Sequence, residues 1–169
     1  MTINKILEKL HSLKNTKNVE GIVRLGMLSE NRLGISIYLL REIAKDIQKN
    51  NKLAKELWNT GITEARILAS MIDEKDKVTK TQMENWVKDF NSWDVCDQVC
   101  DNLFQWTDLV FKKVEEWSKR KEEFVKRAAF TLIACIAWHN KVLKDDYFIK
   151  LFAMIKDAST DERNFVKKA

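Results

Sequence analysis

The stretch Phe124-Val125-Lys126-Arg127-Ala128 returns as Phe165-Val166-Lys167-Lys168-Ala169, 41 residues further on. Each copy opens a run of helical periodicity just after an acidic cluster, Glu122-Glu123 in one case and Asp161-Glu162 in the other. A period near 40 residues is that of solenoids made of stacked helix pairs, where each pair buries its apolar side against its neighbours. The first copy continues with helical spacing through His139, so the second is expected to run for several turns past Ala169. On that reading residues 1–169 form a single helical-repeat domain that lacks its natural C-terminal helices.

The rest of the chain agrees with an all-α, HEAT-like solenoid of ten or eleven helices. Proline is absent and there are only four glycines among 169 residues, which removes turn-rich β architectures. Apolar spacing predicts helices over Ile3–Leu13, Val19–Leu25, Ile35–Lys49, Lys52–Asn59, Thr63–Asp73, Lys80–Phe90, Trp93–Phe104, Asp108–Arg120, Glu122–His139 and Asp145–Ala158, with a last one opening at Asp161. Gly26 to Gly34 reads as a connection, and Gly61 closes a helix. Thr63, Ser92 and Thr107 are expected caps, because a side-chain oxygen there can accept from an orphan N–H of the first turn.

Charge and cysteine use bound the partners. Thirty basic against 25 acidic residues give +5 and a pI near 9.0, which favours a polyanion without naming one. No run approaches the roughly 18 apolar residues of a membrane span, so no membrane partner is expected. Cys96, Cys100 and Cys135 are an odd count in apolar stretches, and the N-terminus lacks a secretory core, so a reducing, cytoplasmic setting is expected. A monomer is expected.

The chemistry is densest from Asp89 to Phe104. On a helical wheel Trp93, Val95, Cys96, Val99, Cys100, Leu103 and Phe104 fill one apolar arc, and Asp97 falls on its rim, one turn after Trp93. Asp94 and Asp101 lie further round, toward solvent. A carboxylate beside apolar surface loses hydration and becomes a stronger partner for a nearby cation; equally, it can be a satisfied acid bonded to the next helix. Arg127 begins the most apolar helix of the chain and needs a counter-charge, for which Asp97 or a phosphate would serve. Trp58, Trp86, Trp106, Trp117 and Trp138 read as core. Cys96 and Cys100 share a helix face, but only His11 and His139 could join them, so no metal is expected. There is no phosphate-cradling glycine loop and no nucleophile elbow.

At these residues the chain resembles the HEAT-repeat DNA alkylation repair family, bacterial glycosylases that remove alkylated purines. The resemblance runs through Asn31-Arg32-Leu33-Gly34-Ile35, Leu40-Arg41-Glu42-Ile43-Ala44-Lys45, Leu57-Trp58, Glu64-Ala65-Arg66-Ile67-Leu68-Ala69, Ser92-Trp93-Asp94-Val95-Cys96-Asp97-Gln98, Phe124–Ala128 and Asp161–Ala169. It implies that Trp93 and Asp97 match the family's tryptophan and catalytic aspartate, that Arg127 matches its active-site arginine, and that the three line a concave face. The partner it implies is double-stranded DNA containing alkylated bases, with no metal or organic cofactor. On this reading Asp97 supplies negative charge near C1′, Trp93 packs on the sugar or backbone, and Arg127 holds a phosphate. Lys126, Lys167, Lys168 and Arg66 are candidate phosphate contacts, or plain solvated charges. The chain departs from the family in having no proline near Ile37 and no residues left to supply a second tryptophan after Ala169. The alternative from another class is a non-catalytic repeat scaffold that binds nucleic acid or protein through the same face.

Overall fold

A computed structural model describes residues 1–24 and 30–169, and every regular element among them is helical. Leu25 and the first part of the Gly26–Gly34 connection lie outside the described residues. The chain divides into two compact units, Met1–Val78 and Thr79–Ala169.

The first unit holds α1 (Ile3–Ser12), α2 (Thr16–Arg24), α3 (Ile37–Lys45), α4 (Asn51–Asn59) and α5 (Thr63–Ile72), followed by a 3₁₀ turn over Lys75–Lys77. α5 packs on α4 and α3, and α1 touches both α4 and α5. Gly61 supplies the corner between α4 and α5 at φ +72°, a left-handed conformation that costs a side chain dearly. Thr63 is not the cap of α5; Ile62 holds that position, and the Thr63 N–H donates to the Asn31 carbonyl at 2.9 Å. The buried Glu64 carboxylate accepts the N–H groups of Leu33 (2.9 Å) and Gly34 (2.7 Å), so the Asn31–Ile35 and Glu64–Ala69 segments are two halves of one anchor.

The second unit holds α6 (Lys80–Lys88), α7 (Trp93–Asn102), a 3₁₀ turn (Phe104–Trp106), α8 (Val110–Trp117), α9 (Glu123–His139), α10 (Asp145–Ala158) and α11 (Asn164–Lys168). α9 is its centre, packed by α6, α7, α8 and α11, as its nearly continuous apolar sequence requires. Ser92 precedes α7 but makes no capping bond, and its buried hydroxyl has no partner among the described residues. Thr107 is not a cap either: α8 begins at Val110, and the Thr107 hydroxyl donates to the Phe104 carbonyl at 2.9 Å.

The repeated pentapeptides stack on each other. The Phe124 and Phe165 rings lie 5.2 Å apart, the Phe165 N–H donates to Glu123 at 3.2 Å, and Arg163 reaches the Lys121 carbonyl. Val125 and Val166 are both buried, and α11 packs on α9.

In the same unit Lys113, with no exposed side-chain surface, donates to Glu84 (2.6 Å) and Glu116 (2.7 Å), and the Trp117 indole also donates to Glu84 at 2.8 Å. Burial pushes the Glu84 carboxyl up, but the bonds from Lys113 and Trp117 and the charges of Lys113 and Arg120 outweigh it, so the group sits below its ordinary 4.5. A depressed carboxyl contributes stability that is complete above its unfolded value and is lost as pH falls through the folded one. Thermal unfolding followed from pH 7 to pH 3 is therefore expected to weaken below about 4.5, and Glu84→Gln to give a lower and flatter profile there.

Candidate nucleic-acid interface

α7 and α9 share a polar seam. Asp97 and Asp101 stand one turn apart on α7, and Arg127, Thr131, Cys135 and His139 stand on successive turns of α9. Of the two partners the sequence allowed Arg127, the structure has the acid. Its Nε donates to Asp97 Oδ1 at 2.9 Å and its Nη2 to Oδ2 at 2.6 Å, a forked pair, while Nη1 donates to the Phe165 carbonyl of α11 at 2.7 Å. Thr131 Oγ1 donates to Asp97 Oδ1 at 3.0 Å. Burial works against the Arg127 guanidinium, but the bonds and charge of Asp97 prevail and hold it above its ordinary value.

A carboxylate has about four acceptor positions, two on each oxygen. Oδ1 uses both of its own on Arg127 and Thr131, and Oδ2 uses one on Arg127. Among the described residues nothing takes the second position on Oδ2, and the Asp97 side chain is 30% exposed against 8% for Arg127. Trp93, one turn earlier on α7, is 36% exposed. Asp97 is thus held from the protein side and open on the other.

The remaining predicted residues divide. Lys126 is paired with Asp161 at 2.9 Å, and Asp161, also bonded by Arg163, lies well below the usual carboxylate range. Lys167 and Lys168 are exposed on α11. Arg66 belongs to the first unit, where its guanidinium lies 5.1 Å over the Trp58 ring. Trp58, Trp86 and Trp117 are core as expected; Trp106 and Trp138, expected to be core, are 47% and 75% exposed.

Sequence reading missed Thr131 and the pair of Asp101 with His139 (3.0 Å). Asp101, expected toward solvent, also accepts twice from the Gln105 amide, once at its main-chain carbonyl and once at Oδ1. The signal that could have found them was the four-residue spacing of polar groups on an apolar helix, 127-131-135-139.

Cysteines follow the packing. Cys96 and Cys100 are buried, their thiols directed at the Phe124 and Ala128 carbonyls of α9 at 3.8 Å. Burial, with the charges of Asp101 and Asp97, pushes the half-buried Cys135 thiol up to about 12. Its thiolate fraction at neutral pH is then far below that of a free cysteine. A thiol reagent at pH 7.5 is expected to find no fast-reacting cysteine in the native protein and all three after unfolding. Among the described residues no three His, Cys, Asp or Glu side chains gather as a metal site, and no helix is long and apolar enough to cross a membrane.

The helix arrangement is that of a known class. A solved structure described as "A new family of proteins related to the HEAT-like repeat DNA glycosylases with affinity for branched DNA structures" matches with a TM-score of 0.87 and 19% identity, over 99% of this chain and 72% of the other. The fold is therefore that of the HEAT-like repeat DNA glycosylases and their relatives. The family described as "DNA alkylation repair enzyme" matches over residues 6–169, and the chain belongs to that family. No curated protein matches the sequence.

Proposed function

We propose that this protein binds double-stranded DNA and excises purines carrying a positive charge from N3 or N7 alkylation. The observation that carries this reading is the state of Asp97: three acceptor positions taken by Arg127 and Thr131, one open on Oδ2, beside half-exposed Trp93. A cationic alkylpurine already weakens its glycosidic bond, since the base leaves as a neutral molecule with the bonding electrons. The catalyst then has to stabilise the oxocarbenium character developing on the sugar. The open edge of Asp97 presents negative charge to C1′ and accepts from the water that adds there. Arg127 stands behind the carboxylate as a positioning residue rather than a phosphate contact, and it shortens the reach of the negative field without reversing its sign at Oδ2. Trp93 packs on the sugar, and Lys167 and Lys168 are the phosphate contacts, giving salt-dependent, sequence-tolerant binding. The test is release of 7-methylguanine or 3-methyladenine from methylated duplex DNA, compared with Asp97→Asn.

A second reading rests on the forked Arg127 pair, which offsets the charge of Asp97, and on the solved relative, whose description reports affinity for branched DNA. On it, the protein binds DNA junctions without excision. Wild-type protein that binds a four-way junction yet releases no methylated base supports this reading over the first.

A further inference from the structure

Trp106 is an exposed tryptophan that the protein takes trouble to hold still. It ends the 3₁₀ turn that follows α7, a turn anchored by fully buried Phe104 and by buried Gln105. The indole N–H donates to the Asp101 main-chain carbonyl at 3.0 Å, and Gln105 bonds that same carbonyl at 2.6 Å and the Asp101 Oδ1 at 3.0 Å. His139 meets Oδ1 at 3.0 Å, and its ring lies 5.6 Å from the indole, tilted by 56°. With its one polar group already used, the indole has only its π face to offer a ligand.

Trp106 borders a cleft of about 350 Å³ whose walls also include Phe111, Ile136, His139, Lys141 and Asp108. The volume falls in the range of small-ligand sites. The cleft carries the Asp108 carboxylate beside the Lys141 ammonium, so it offers phosphate little net attraction, while a flat ring bearing both donors and acceptors suits it. Asp101 is one turn, roughly 6 Å, along α7 from Asp97, and His139 is two turns along α9 from Thr131. A DNA strand near Asp97 therefore reaches Trp106 within a few nucleotides, at about 3.4 Å each.

We infer that Trp106 and His139 form a stacking site for an unpaired nucleobase, displaced from the helix close to the position of Asp97. The inference rests on the DNA-binding reading above but not on excision. Base–aromatic stacking is sequence-tolerant because every base has a π face, so the site reads the unpaired state and not base identity.

The experiment is equilibrium binding of the full chain to a labelled duplex with three unpaired adenines and to the fully paired duplex, at one salt concentration. Wild type is expected to prefer the bulged DNA. Trp106→Ala is expected to lose about tenfold of that preference with paired-duplex affinity nearly unchanged, and Trp106→Phe to keep most of it. Trp138→Ala, which removes the other highly exposed tryptophan, serves as the control and is expected to behave as wild type. Equal wild-type affinity for the two DNAs, or a folded Trp106→Ala that keeps the preference, overturns the inference. If methylpurine release survives in that same variant, only the stacking site falls; if no DNA form binds wild type, the DNA reading falls with it.

Discussion

Replacing Asp97 with Asn is expected to lower release of 7-methylguanine from methylated duplex DNA by about 100-fold or more, while affinity for unmodified duplex changes little. The size follows from removing a group aimed at developing charge, where single deletions typically cost about 10²–10³ in rate. Binding is spared because the lysines of α11 are independent of the carboxylate. Asparagine keeps an acceptor for Thr131 but removes the counter-charge of a guanidinium that is 8% exposed. Discounted for the partial exposure of Asp97, a stability loss of about 2 kcal/mol is expected. Rates should therefore be compared well below both melting temperatures. Undiminished release by a folded variant removes Asp97 from the chemistry, whereas no release by wild type leaves the junction-binding reading in place.

The second large effect is on folding. Gly34 sits at φ +75°, and a Cβ there would run into the main-chain oxygen of Asn15 and press on the Val19 side chain. The position cannot relax cheaply, because the Gly34 N–H is held by Glu64 and its carbonyl by the Asn18 amide at 2.9 Å. Gly34→Ala is expected to cost about 3 kcal/mol or more, combining left-handed strain with a backbone collision. Gly21, inside α2, is the matched control, since a Cβ there would meet nothing within 4 Å. Gly21→Ala is expected to stabilise by about 0.5–1 kcal/mol through helix propensity. Urea titrations giving both variants the same sign would remove the steric account.

Local rules made much of this legible. The residues from Asp145 to Ala158 form the helix their periodicity predicts, and Gly61 takes the positive φ expected of it. The forked pair between Asp97 and Arg127 was one of two partners that burial of an arginine left open. What periodicity misplaced was Trp106, since a wheel drawn at 100° per residue loses its meaning in the 3₁₀ turn over Phe104–Trp106. Trp138, next to the end of α9, is exposed at 75% although its neighbours Ile133 and Ile136 are buried. Asp101 and His139 are 38 residues apart, so only the tertiary alignment of α7 with α9 brings them together. Thr131 was hidden because a threonine in an apolar helix looks the same whether its hydroxyl returns to its own backbone or reaches a neighbour's carboxylate.

The bond from Arg127 to the Phe165 carbonyl has a mechanical side. A guanidinium clamped at both ends cannot rotate alone, so fraying of the short helix carrying Phe165 slackens the hold on the acid at the opposite end.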